Sequence, residues 1–144
     1  MNNAPPAVQR MGMAVALEAL ARIPLFPSLS KRDLGRIRKG MLDYHYPAGR
    51  TIVREGDRGE TLFVVLVGNA RVVRGGRTLA RLGPGDFFGE IAVLDKRPRT
   101  ASVIADSEVR CLVLHREELR KVLADQPRAA WNMLAELAGR VRGD

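Results

Sequence analysis

The run "GPGDFFGEIAVLDKRPRTASV", Gly83 to Val103, decides how this chain is read. It is mostly apolar through Phe87, Phe88, Ile91, Ala92, Val93 and Leu94, yet it sets an acid, Glu90, directly after Gly89 and an arginine, Arg99, directly after Pro98. Gly83 and Gly85 bracket Pro84 as a tight turn. A glycine ahead of a single helical turn lets the backbone come close to a bound group. The N–H groups that open such a turn have no acceptor of their own and form a place for an anion.

Arg99 adds a planar fork of donors able to grip two oxygens of one phosphate. Glu90 needs a separate reason, because a carboxylate beside a phosphate is repulsive unless it accepts a hydrogen bond near a cation. A sugar hydroxyl is a suitable donor. Turn amides and Arg99 for a phosphate, with Glu90 for a ribose, describe a nucleotide site free of metal-phosphate machinery, its base held by the surrounding apolar wall. A plain ion pair stapling the loop is the alternative, and spacing alone leaves it open.

Outward from this run, short segments rich in Val, Ile, Leu, Tyr and Phe alternate with glycine turns: "LDYHY", "TIVRE", "TLFVVLV", "ARVV", "TLARL", "ASVIA" and "VRCLVL". Strands of this length and spacing predict an antiparallel sandwich or small barrel. Gly75-Gly76 is the strongest hairpin signal, since paired glycines accept the positive φ of a two-residue turn. On either side the period becomes helical. Met13–Arg22 is expected as a helix ending before Pro24, and a second spans 31–39, capped by Ser30 and closed by Gly40. After His115, "REELRKVLA" is helical, and Asp125 with Pro127 opens a last helix. Its stripe of Ala130, Trp131, Leu134, Leu137, Ala138 and Val141 is expected to pack on the chain's own strands, or else to serve as a lid or a dimer seam. The fold class is α+β: an antiparallel β-roll, jelly-roll-like, over 42–115, flanked by N-terminal helices within 13–41 and two C-terminal helices over 116–142. Residues 1–12 are expected as a flexible N-terminal segment before the domain of 13–144.

The 144 residues suit one domain, with 46% hydrophobic and 28% charged residues pointing to an ordered core. No apolar run approaches the roughly 20 residues of a membrane span, and the N-terminus does not read as a secretion signal. The single cysteine, Cys111, has no intramolecular partner, which fits a cytoplasmic location. A net charge of +8 raises the question of nucleic acid. The basic residues are dispersed, however, and Leu34, Ile37 and Met41 recur at helical spacing opposite most of Lys31, Arg32, Arg36, Arg38 and Lys39, which reads as a solvated helix face, with an anion- or partner-binding patch as the lesser alternative.

At these residues the sequence resembles the cyclic nucleotide-binding domain family, found in bacterial catabolite activators, protein kinase regulatory subunits and cyclic nucleotide-gated channels. That family's phosphate-binding cassette reads approximately F-G-E-[ILM]-A-L, a few variable residues, then P-R-[TSA]-A-[TS]-V, and "FGEIAVLDKRPRTASV" is similar to it almost position by position. Gly56, Gly59 and Gly68 fall where the family places turns. The resemblance implies Glu90 on the ribose 2′-hydroxyl and Arg99 on the exocyclic phosphate oxygens. Phe88, Gly89, Ile91 and Ala92 would supply amides or close contact, and Thr100 and Ala101 would lie beside phosphate and base. Trp131, Leu134 and Leu137 are candidate lid residues. The ligand implied is cAMP or cGMP, with cAMP favoured by family habit although Thr100 is compatible with both; no other cofactor and no metal is expected.

Three rivals weigh less. A catabolite-activator-type transcription regulator requires a helix-turn-helix after the long helix. The chain ends at Asp144, so no DNA-binding domain is expected in it unless it is a fragment. A cupin-like metalloenzyme requires His-x-His and a third histidine, whereas His45 and His115 are the only two. No nucleophile and base can be paired, so no enzyme is expected. A ligand-free interaction module on the same fold is the third, disfavoured by the intact Glu90 and Arg99. The expectation is a regulatory sensor acting through its last helix on an unidentified protein effector, with a homodimer through that helix as one form.

Overall fold

The computed structural model describes residues 7–8 and 31–143, and the helix expected at 13–22 and the cap at Ser30 lie outside the described residues. Two compact units emerge. One holds the strands, 7–8 with Met41–Arg116; the other holds helical segments, 31–40 with 117–143.

The strand unit contains β1 (Ala7–Val8), β2 (Met41–Tyr46), β3 (Thr51–Val53), β4 (Thr61–Val67), β5 (Ala70–Arg74), β6 (Arg77–Leu82), β7 (Phe87–Phe88), β8 (Ser102–Ala105) and β9 (Val109–His115). They form two antiparallel sheets, ordered β1-β2-β9-β4-β7 and β3-β8-β5-β6. The arrangement is the jelly-roll-like one expected, but the sheets are not closed into a barrel: β1 and β7 end one sheet, β3 and β6 the other. The β5–β6 hairpin turns at Gly75 and Gly76, with φ of 56° and 78°, as the paired glycines predict. The sequence reading assigned no strand to Ala7–Val8 or Phe87–Phe88. Each is two residues long and is held by register, Ala7 opposite His45 and Phe88 opposite Phe63, rather than by any pattern of its own.

The core lies where the sheets face each other. Tyr46, Phe63, Val65, Phe88, Val109, Cys111 and Val113 from one meet Ala70, Leu82, Val103 and Ala105 from the other. In β4 and β9 the alternate residues Leu62, Val64, Leu112 and Leu114 are buried as well. Both faces of these strands are therefore covered, which explains why "TLFVVLV" reads as a continuous apolar run rather than an alternating one. Burial keeps the Cys111 thiol protonated, its pKa pushed up to about 12, and burial likewise raises that of the Tyr46 hydroxyl.

The described helices are α1 (Lys31–Lys39), α2 (Glu90–Asp95), α3 (Arg116–Asp125) and α4 (Pro127–Arg142). Pro127 occupies the first turn of α4 as expected, but Gln126 rather than Asp125 precedes it, Asp125 instead ending α3, and Gly143 closes α4 in the left-handed conformation. Leu34 and Leu119 are the buried anchors of α1 and α3. On α4 the buried residues are Ala129 and Met133, while Trp131, Leu134 and Val141 are 73%, 61% and 88% exposed. The exposure of Trp131, Leu134 and Val141 departs from the covered stripe expected, whereas Ala130 and Leu137 in the same stripe are half-buried. Large apolar side chains dominate a sequence-based choice of face, but here the smaller Ala129 and the flexible Met133, four residues apart, define the covered one.

Candidate functional site

The site is built where the turn after β6 leads through β7 into α2, and where the chain returns to β8. Gly89 is its pivot. With φ of 87° it occupies the left-handed region, and a Cβ there would stand 2.7 Å from the Thr61 carbonyl oxygen, so the position admits only glycine. Its carbonyl accepts the first helical bond of α2, from Val93 N at 3.2 Å. The amides of Glu90, Ile91 and Ala92 thus open the helix without acceptors inside it. The side chains of these three residues lie outside the described residues.

Arg99 is 7% exposed, unusual for an arginine, and its surroundings account for that burial. Nη1 donates to the Gly89 carbonyl and Nη2 to the Thr61 carbonyl, both at 3.1 Å. The guanidinium sits over the Phe63 ring, 5.8 Å from its centroid, and Phe63 in turn stacks on Phe88 at 4.8 Å and 8°. A cation over an aromatic face with its donors on carbonyls is stabilised without an acid at each N–H. The backbone of Arg99 is fixed too: its N–H donates to Asp57 O at 2.8 Å, and its carbonyl accepts from Gly56 N at 2.9 Å.

The structure thus gathers Phe88, Gly89 and Arg99 around one point, with the α2 amides beginning beside it. Thr100 is exposed and Ala101 half-buried on the way into β8. The candidate lid residues divide: Trp131 and Leu134 are open and Leu137 is half-buried, all on α4 in the helical unit.

Three contributors escaped the sequence reading. Phe63 looks like any core residue of "TLFVVLV", and only register with Phe88 shows it as the floor under Arg99. The Thr61 carbonyl has no sequence signature at all. Arg74, at the end of β5, donates from Nε to the Thr100 carbonyl at 2.8 Å and brings a second cation to the exit of the cassette. Arg116 has a structural part: its N–H donates to Glu60 O at 2.8 Å and its Nε to Val93 O at 2.9 Å, joining α2 to the residue that opens α3.

Among the described residues no three His, Cys, Asp or Glu side chains gather as a metal site would require, and no helix is long and apolar enough to cross a membrane. His45 pairs with Glu108, and His115 is exposed at the end of β9. The buried, protonated Cys111 cannot act as a thiolate nucleophile.

Relatives share both the sequence and this architecture. The chain is 38% identical over 124 residues to the cyclic AMP receptor protein of Thermus thermophilus, covering 83% of this chain and 57% of that protein. It is 33% identical over 130 residues to a CRP-like cAMP-activated global transcriptional regulator of Mycobacterium tuberculosis, covering 87% and 58%. It therefore spans less than two thirds of the length of either. A crystal structure of a cyclic nucleotide-binding domain from Methylobacillus flagellatus superposes with a TM-score of 0.79 at 29% identity, over 91% of this chain and 79% of that one. The family model of the cyclic nucleotide-binding domain matches residues 44–126, from within β2 through the cassette to the end of α3, and the chain belongs to that family.

Proposed function

We propose that this chain is a regulatory sensor that binds one cyclic nucleotide, cAMP in preference to cGMP, and passes occupancy through α4 to a protein partner. The buried Arg99 carries this reading. Its guanidinium is held ready by two carbonyls that a phosphate's oxygens, bearing full charge, can outbid as acceptors. The amides at the start of α2 complete the anion site. Glu90 takes the ribose 2′-hydroxyl, Ile91 and Ala92 line the sugar and phosphate, and Thr100 and Ala101 lie beside phosphate and base. A cyclic phosphate carries one negative charge, so one arginine and a few amides suffice without Mg²⁺. Preference for cAMP is supported by the two regulators above, both named for cAMP. No catalytic step is assigned.

Transmission follows from Arg116. A ligand that moves the α2 backbone pulls on the Val93 carbonyl, and Arg116 relays that displacement to the start of α3 and onward along the chain. At the far end, Trp131, Leu134, Ala138 and Val141 are exposed at spacings of three, four and three, the pattern of a helix-to-helix seam. A second copy of the chain or an effector helix is the partner this face fits, with Trp131, Leu134 and Leu137 as the lid candidates on the same helix.

A thermal-shift titration with cAMP, cGMP and linear 5′-AMP in parallel tests the reading. Ligand at about 100 times its dissociation constant adds roughly 2.7 kcal/mol and raises the midpoint by several degrees. The expected result is a rise with cAMP, a smaller one with cGMP and none with 5′-AMP. A folded protein that responds to no cyclic nucleotide contradicts the proposal.

A further inference from the structure

The loop between β3 and β4 carries Gly59, a residue with no site role so far. It is half-buried, and its backbone does not lie in the left-handed region, so chain geometry alone accepts any residue there. Space does not. A Cβ on Gly59 would stand 2.4 Å from Arg99 Nη2, 2.5 Å from Nε and 2.7 Å from Cζ. Carbon contacts are comfortable only at roughly 3.5–4.0 Å. All three atoms belong to the guanidinium, whose other surroundings are already occupied: the Gly89 and Thr61 carbonyls hold its Nη atoms and the Phe63 ring lies beneath it. A methyl group at 59 is accommodated only by moving the guanidinium off that seat.

We infer that Gly59 is a positioning residue for Arg99: its missing side chain leaves the room in which the guanidinium rests and from which it turns to the cyclic phosphate, and a side chain there hinders both. The inference rests on the proposed role of Arg99, and it separates from the role of Gly89, where a side chain is barred by backbone conformation as well as by space. At Gly59 the conflict is with Arg99 alone among the nearest atoms, so removing the arginine side chain should remove it.

Four proteins test this: the wild-type chain, Gly59→Ala, Arg99→Ala and the double variant. Each is melted without ligand and titrated calorimetrically with cAMP. Gly59→Ala should weaken cAMP by about tenfold or more, the scale of one misaligned hydrogen bond to a charged group. It should also lower the ligand-free midpoint when Arg99 is present, yet leave it unchanged or slightly raised in the Arg99→Ala background, where alanine merely restricts the unfolded chain. Affinity within about twofold of wild type, or an equal drop in midpoint in both backgrounds, overturns the inference and makes Gly59 a loop requirement. If Gly59→Ala is too unstable to titrate, recovery of folding in the double variant supports the clash and continued failure refutes it. A wild-type chain that binds no cyclic nucleotide removes the proposed function instead, while the melting comparison still decides whether Gly59 seats the guanidinium.

Discussion

The cassette and the last helix solve opposite problems with charged and apolar groups. At the cassette the protein takes its most hydrophilic side-chain type, leaves it 7% exposed, and surrounds it with carbonyls and an aromatic ring. On α4 it takes its only tryptophan and leaves it 73% exposed, beside Leu134 at 61% and Val141 at 88%. A buried arginine is costly unless its donors are satisfied, so its position implies a place that stays ordered without ligand. An uncovered apolar stripe implies the reverse: a surface whose order comes from whatever covers it. The lesson is that the part proposed to read the ligand is internally ordered, whereas the part proposed to report it depends on a partner.

The largest effect should come from Arg99→Ala. Loss of two or more hydrogen bonds between a guanidinium and a phosphate should weaken cyclic nucleotide binding by roughly 10²–10⁴-fold. The fold should persist, since the Gly89 and Thr61 carbonyls each lose one hydrogen-bond donor while the backbone bonds of Arg99 to Asp57 and Gly56 remain, and Glu90→Ala should weaken binding less. Wild-type affinity in Arg99→Ala would break the cassette side of the comparison.

Next comes Phe63→Ala. This side chain is 5% exposed and lies between Arg99 and Phe88, so truncation should cost about 3–5 kcal/mol of stability, read from denaturant unfolding. A loss under about 1 kcal/mol would mean the floor is not packed as described.

Alkaline pH sharpens the contrast between inside and outside. The folded-state pKa of Cys111 is raised from 9.0 to about 12, so the folded protein holds this proton longer than the unfolded chain does. Its contribution is fully present below about pH 9 and is lost as pH rises through 12, and Tyr46 shifts in the same direction. The melting midpoint should fall through that window, and Cys111→Val should remove part of the fall. At neutral pH the thiol should resist alkylation until the protein unfolds.

The smallest effect belongs to Trp131→Ala. At an exposed helix position it should change ligand-free stability by no more than about 0.5 kcal/mol, while altering self-association measured by sedimentation. A large loss of stability would show that the face is covered within the chain and would erase the comparison.

These differences track what was legible in the sequence. The placing of Glu90 and Arg99 in a ligand site came from the resemblance to the family's cassette, whereas the single helical turn after Gly89 was readable because its backbone conformation is a demand on residue type. The hairpin at Gly75-Gly76 and the start of α4 at Pro127 were readable for the same reason. The acceptors of Arg99 were not, because a backbone carbonyl such as that of Thr61 has no residue type. Phe63 was hidden by its neighbours, whose burial on both faces of β4 erased the alternation that would have marked its direction. On α4 periodicity located the helix correctly but weighed Trp131 and Leu134 above Ala129 and Met133, a choice of face that only tertiary packing makes.

The most direct test of the central claim follows the arginine side chains themselves. A ¹H–¹⁵N spectrum of the labelled protein, with the Arg99 Nε resonance assigned by its disappearance in Arg99→Lys, is recorded during a titration with cAMP. Arg99 Nε is expected to shift in saturable fashion as the guanidinium turns from the Gly89 and Thr61 carbonyls to the phosphate, while the Asp106-paired Arg71 stays still. A saturating titration that moves other resonances and leaves Arg99 Nε in place would contradict it.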